Sequence, residues 1–238
     1  MKTINLFFFL AVPVFLLTSC DYIKDKMSDK IDDFKAELIV DENVEPAALQ
    51  IWEACSDIQI SEIVSTPLTQ DGSGITLSSV MQIVGRNALV GCANLKDTAY
   101  VNNLLDTAII TGIIDGTEVR FAWGQSANSE NMMELYALMP DRDGNAAMEG
   151  DIIESAKAGK TLFGEHPCLS VVFKTDAARL FAELTMLNIN RPLPIVVNGY
   201  VISAPIVMDR IEGGRIEITG AFSEEEIKML SKRINACK

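Results

Sequence analysis

From Lys96 onward the apolar positions switch between a helical period and a strand period. In "DTAYVNNLLDTAI", Val101, Leu104, Leu105 and Ala108 recur at helical spacing behind Asp97, a residue suited to capping a first turn. "EVRFAWG" and "MMELYALMP" predict two strands joined by the polar loop "QSANSEN", and "GDIIESAKAG" predicts a short helix bounded by glycines. "CLSVVFK" places Leu169, Val171 and Phe173 on one face of a strand. "TDAARLFAELTML" then carries Leu180, Phe181, Leu184 and Leu187 along one side of a helix that starts at Thr175 or Asp176. "RIEIT" follows a Gly213-Gly214 turn and alternates, which predicts a strand with one wet face. The last helix has a clear start. Ser223 and Glu226 form a capping box, Phe222 and Ile227 stand at hydrophobic-staple positions, and the apolar face runs through Leu230 to Ile234. From Cys168 the order is strand, helix, three strands, helix: an α+β unit, a mostly antiparallel sheet with packed helices.

The stretch "VVNGYVISAPIV", Val196 to Val207, joins a hairpin signal to a strand breaker. Asn198-Gly199 is the favoured pair for a type I′ turn, so Ile195 to Val197 and Tyr200 to Ile202 pair across it. Both runs are continuously apolar, which predicts cover on both faces. Pro205 lacks a main-chain donor and belongs at an edge or a bulge, with the small Ser203 and Ala204 making room for the bend. The second strand is therefore deflected and leaves an irregular edge.

Upstream the pattern is less regular. "PAALQIWEAC" reads as helical and "TQDGSGIT" as a Gly-rich turn. Ile23, Met27, Ile31, Phe34 and Leu38 lie on one face of an amphipathic helix of mixed charge. The first 20 residues, "MKTINLFFFLAVPVFLLTSC", hold one lysine, an apolar core from Leu6 to Leu17, and Leu-Thr-Ser-Cys at the end. That core is shorter than the roughly 20 residues a bilayer span needs, and no later segment is long and apolar enough. The ending resembles the lipobox of bacterial lipoproteins, a family in which Cys20 would be lipidated and become the mature N-terminus. An ordinary export signal is the alternative reading. The expected organisation is a signal peptide over 1–20, a tether helix over 21–40, an N-terminal region over 41–95 and an α+β domain over 96–238.

Charge and composition narrow the function. Hydrophobic residues make up 48% of the 238 and the formal charge is −13, with no basic cluster, so nucleic acid is excluded as a partner. Export into an oxidising compartment permits two disulfides among Cys55, Cys92, Cys168 and Cys237. Chain order favours Cys55–Cys92 and Cys168–Cys237, and free buried thiols are the alternative. No two of these cysteines have metal-ligand spacing. "DRDGN" (Asp141 to Asn145) lacks the glycine and glutamate of a calcium loop, since Ala146 and Ile152 occupy those places. His166 is the sole histidine and sits in a loop. Glu224, Glu225 and Glu226 suit a helix N-terminus. Nothing here marks catalysis, a metal or a cofactor, so the chain is read as non-enzymatic.

The segment "PLPIVVNGYVISAPIVMDRIEGGRIEITGAFSEEEIKML" resembles the head of the first periplasmic domain of SecD and SecDF, the Sec-translocon accessory proteins. "VVFKTDAARLFAELTMLNINRPL" and "LYALMPDRDGNAAMEGDIIESAKAG" are similar to the segments before it, and "LVGCANLKDTAYVNNLL" to one in the SecDF proteins of Bacteroidetes. The resemblance implies a SecD-head-like α+β fold that engages polypeptide near the translocon. Family members continue into transmembrane helices that couple proton flow to export, and the expectation is that this chain, ending at Lys238, does not itself do that work.

On this reading the bend is the candidate site, with Tyr200, Ser203, Ala204, Pro205 and Ile206 receiving an extended peptide as an added strand. Cover of that edge by residues 41–95 is the competing possibility. The expected partners are polypeptide clients or Sec-type export components, with the protein lipid-anchored in the bacterial cell envelope and its domain in the periplasm. A structural adaptor for one defined folded partner is the alternative.

Overall fold

The computed structural model describes residues 46–125, 131–161, 166–220 and 222–237. The expected signal peptide, lipidation site and tether helix lie outside the described residues. The strands are β1 (Leu49–Ile51), β2 (Glu53–Ala54), β3 (Gln82–Arg86), β4 (Leu89–Asn94), β5 (Arg120–Gln125), β6 (Met132–Met139), β7 (Ile153–Lys160), β8 (Pro167–Phe173), β9 (Ile195–Val197), β10 (Tyr200–Ser203) and β11 (Arg215–Thr219). The helices are α1 (Asp57–Ser65), α2 (Thr98–Ile110), α3 (Thr175–Leu187) and α4 (Glu224–Ala236).

Eight strands form one sheet in the order β1-β9-β10-β5-β6-β4-β3, with β2 also on β6, and three form another in the order β11-β8-β7. Pairing is antiparallel except where β10 runs parallel to β5. Gly124 allows that approach, because a Cβ there would lie 2.7 Å from the Val201 carbonyl oxygen. The region read as 41–95 contributes β1 to β4 to the same sheet.

Two cores result. Leu135 and Ala137 of β6 face α1 and α2 together with Cys55, Ile60, Leu68, Val101 and Leu105. Leu169, Val171 and Phe173 of β8 face α3, α4 and the β1–β9 end of the large sheet through Phe181, Leu230, Ile51 and Ile195. Trp123 packs against both cores and donates to Asn102 Oδ1 at 2.8 Å.

The helices over 98–110, 175–187 and 224–236 form over the predicted ranges, and Ser223 and Glu226 close the capping box. On α3 the expected face is only half right: Phe181 and Leu184 are buried, with Ala177, Ala182 and Thr185, whereas Leu180 and Leu187 are exposed. At α2 the cap differs: a turn of 3-10 helix precedes it and the Asp97 side chain makes no capping bond. "GDIIESAKAG" is not a helix but strand β7, antiparallel to β8. The register shifts between Ile153 and Ser155, so the buried Ile153 and Ala156 fall three apart and imitate a helical period. Past that bulge, Asn235 of α4 accepts from the Ala156 N–H and donates to its carbonyl. "PAALQIWEAC" is likewise β1 and β2, since pairing with β9 and β6 overrides its helical composition.

All four described cysteines are free thiols. The Cys55 N–H bonds to Ala137 and Cys92 stands opposite Glu134, three residues along β6 and on the other face of the sheet. That is about 10 Å of strand, beyond the ~7 Å between Cα atoms that a disulfide can bridge. Cys168 lies opposite Gly159, near the Lys160–Glu224 ion pair at the start of α4, whereas Cys237 follows the end of α4. A 13-residue helix, about 20 Å long, separates that pair.

Candidate functional site

The Asn198-Gly199 turn forms as the sequence predicts, with φ of 49° and 80°. Neither edge of its hairpin is open. β1 pairs along β9, and β5 pairs with Tyr200 and Val201 of β10. Tyr200 is therefore an interior-strand residue, partly buried against the core around β8, and offers no edge to an added strand. This corrects its place in the expected site: residues 49–51 and 120–125 occupy the ladders that it was read to leave free.

Beyond Tyr200 the chain does deflect. The register slips between Val201 and Ser203, which leaves Ser203 opposite Ile195. Ala204 packs on the far face of the sheet against Val196 and Val201. The Pro205 carbonyl then accepts from Leu193 N–H at 3.0 Å, Val207 N–H donates to the Arg191 carbonyl at 3.0 Å, and the Val207 carbonyl accepts from Asn190 N–H at 2.8 Å. The bend is thus pinned to the loop between α3 and β9. Ile206, midway, turns its own N–H and C=O the other way, and they have no partner among the described residues.

This deflected segment forms one wall of a cavity of about 430 Å³. Ile51, Leu193 and Ile195 line it from the large sheet, Phe181 and Thr185 from α3, residues 205–209 and Ile211 from the loop, and Arg215, Ile216 and Glu217 from β11. Two features hold the walls in place. Ile211 N–H donates to Thr185 Oγ1 at 3.0 Å, and Thr185 is itself wholly buried. Gly214, at φ 58°, lets β11 start against α3, because a Cβ there would come within 2.5 Å of the Ala178 Cβ. At the mouth Ile206 is 45% exposed and Met208 78% exposed. Both are large apolar side chains that stay in water beside an apolar hollow, which makes this the candidate contact surface.

Of the expected site residues, Pro205 and Ile206 line this cavity, whereas Tyr200, Ser203 and Ala204 are not part of its lining. Sequence reading missed Met208, Phe181, Leu193 and the three residues of β11. Met208, an apolar residue directly after "SAPIV" and before Asp209, was the available signal.

A second hollow of about 180 Å³ lies between α1 and residues 113–119, with Cys55, Glu62, Asp115 and Glu118 in its walls. Burial pushes the Cys55 thiol up to about 11, so it is protonated and unreactive at neutral pH. No group of His, Cys, Asp and Glu among the described residues could hold a metal ion. Tyr136 Oη donates to Glu134 at 2.6 Å, and burial, the larger effect, together with that bond holds the phenol far above its usual range. His166 closes the β7–β8 loop through its carbonyl, and Asp141 Oδ1 accepts from the N–H groups of Asp143 and Asn145 in a polar turn.

Comparison with known proteins places this geometry. Residues 129–238 match the family model for the SecDF P1 head subdomain. The protein translocase subunit SecD of Rhodothermus marinus is 30% identical over 176 residues, covering 73% of this chain and 28% of that protein. SecD of Acidaminococcus fermentans is 34% identical over 91 residues, 38% of this chain and 22% of that protein. A solved structure of SecDF, described as a membrane component that enhances protein export, aligns at 20% identity and TM-score 0.37 over 78% of this chain and 93% of that one. The chain thus spans under a third of the length of these two SecD relatives. Among the described residues no helix is long and apolar enough to cross a membrane. With its α+β architecture and its match over residues 129–238, the chain carries a SecD-head-like domain.

Proposed function

We propose that this protein serves protein export by binding translocating or unfolded polypeptide in the cavity between α3, the Pro205–Asp209 segment and β11. In this reading Cys20 carries a lipid anchor, residues 21–40 space the domain from the membrane, and the domain works in the periplasm. One observation carries the reading: an apolar cavity of about 430 Å³ opens beside an exposed isoleucine and methionine on the head-like domain. An unbranched thioether adapts to many side-chain shapes, which suits a surface meeting varied clients. The net charge of −13 disfavours an anionic membrane surface as the occupant.

The test places photo-crosslinking residues at Ile206 and Met208 of the full chain in living cells. Adducts with many exported proteins are the expected result. A single discrete adduct would replace the client reading with an adaptor for one folded partner. Absence of adducts at both positions would remove the cavity from the function altogether.

A further inference from the structure

We infer that the client enters this cavity as an added β-strand on the outer edge of β11, through an extended segment with apolar side chains at alternate positions. The inference rests on the reading of the cavity as a polypeptide site. β11 pairs with β8 alone, so its other edge has no ladder partner among the described residues. Phe173 N–H donates to the Gly214 carbonyl at 2.9 Å, which fixes the phase of this antiparallel pair. Alternation then places Gly214, Ile216 and Ile218 in the bonded pairs and turns the N–H and C=O of Arg215 and Glu217 outward. Arg215 and Glu217 are the two β11 residues that flank Ile216 in the cavity wall. On the opposite wall the Ile206 main chain has no partner among the described residues either. The cavity is thus apolar within and bordered by main-chain groups without partners among the described residues, the complement of an extended peptide.

Charge selects among extended segments. Asp209 and Glu217 stand on opposite walls, and neither is in an ion pair among the described residues, whereas Arg210 is paired with Glu212 at 3.5 Å. A segment with alternating apolar residues and a lysine or arginine at its flank meets both demands. The charged side chains on β11 also discourage flush pairing between two copies of this chain, a usual protection of short edge strands. Proline within the segment would remove a donor and weaken binding.

The test measures binding of a fluorescent peptide, Lys-Ile-Thr-Val-Thr-Ile-Lys, to the full chain by anisotropy. Two further peptides carry backbone N-methyl groups on one or the other alternate set of residues. At least one methylated set should bind about tenfold more weakly, because its donors face β11. On the protein side, Glu217→Pro deletes an outward donor while leaving the β8 ladder bonded, and should cause a similar loss. Equal binding of all three peptides, with photo-adducts at Ile206 and Met208 retained, would overturn strand addition and leave the polypeptide site standing. No binding of the parent peptide and no adducts would overturn the polypeptide reading itself.

Discussion

The two cores of this protein are built from similar residues and finished differently. On the β4–β6 end of the large sheet, α1 and α2 cover Leu135 and Ala137, and both side chains are fully buried. On the β1–β9 end, α3 and the small sheet meet the large sheet around a cavity of about 430 Å³ that reaches solvent past Ile206 and Met208. The first core buries its centre and keeps only the smaller hollow of about 180 Å³ at its rim beside α1, while the second leaves more of its apolar surface available. The contrast follows from topology: among the described residues β11 has no partner on its outer edge, whereas β6 is flanked on both sides.

The largest effect expected from this contrast is in the closed core. Leu135→Ala should cost about 3 kcal/mol in urea unfolding, because a rigid, water-free site keeps the hole. Leu193→Ala, on the wall of a cavity already open, should cost clearly less, nearer the ~2 kcal/mol at the bottom of the range. Equal losses would break the distinction between the two cores.

A middle-sized effect concerns pH. Burial raises the Cys55 thiol to about 11 against an ordinary 9.0, with Arg191 opposing and Glu118 adding. A group whose acid form is favoured by folding contributes its full stability below pH 9 and loses it as pH rises toward 11. Stability should therefore fall across that window, by about 2 kcal/mol from this group. Cys55→Ala should flatten the fall in parallel urea titrations; an unchanged slope would mean that the thiolate is readily solvated and the first core less closed than its packing indicates.

The smallest effect on stability belongs at the mouth. Ile206→Ser should change the unfolding free energy by under about 0.5 kcal/mol, since half of that side chain is already in water. The same variant should weaken capture of polypeptide. A large loss of stability would show that Ile206 belongs to the core rather than to a contact surface.

Local signals made much of this fold legible. Asn198-Gly199, the Ser223–Glu226 box and the 3.6-residue stripes of α2 and α4 act over a few residues and were readable as such. On α3 the range was readable, but which leucines it buries was not, since Leu180 and Leu187 stay exposed. The β7 misreading came from a bulge that turns a period of two into an apparent three. β1 was hidden because three residues of Leu-Gln-Ile carry no period of their own and become a strand only against Val197, Val196 and Ile195. The cavity was partly legible, through the two residues of its lining that the sequence singled out. Pro205 and Ile206 stood out, because a breaker inside an apolar run must bend the chain. Tyr200 looked equally available, and only its pairing with Trp123 and Val197 removes it.

The sequence by itself determined the order of elements from Cys168, the turn and the caps, and the acidic surface charge, because each depends on neighbours along the chain. It also determined that "RIEIT" has a wet face. Tertiary structure alone decided which edges stay open, which cysteines lie apart, and where the cavity sits. Those depend on partners far away in sequence: β1 covers the hairpin from about 145 residues upstream, and Gly124 admits β10 beside β5. A strand's pattern records which face is buried, but not which neighbour lies along its edge, since main-chain hydrogen bonds are the same for every residue that can donate and accept them.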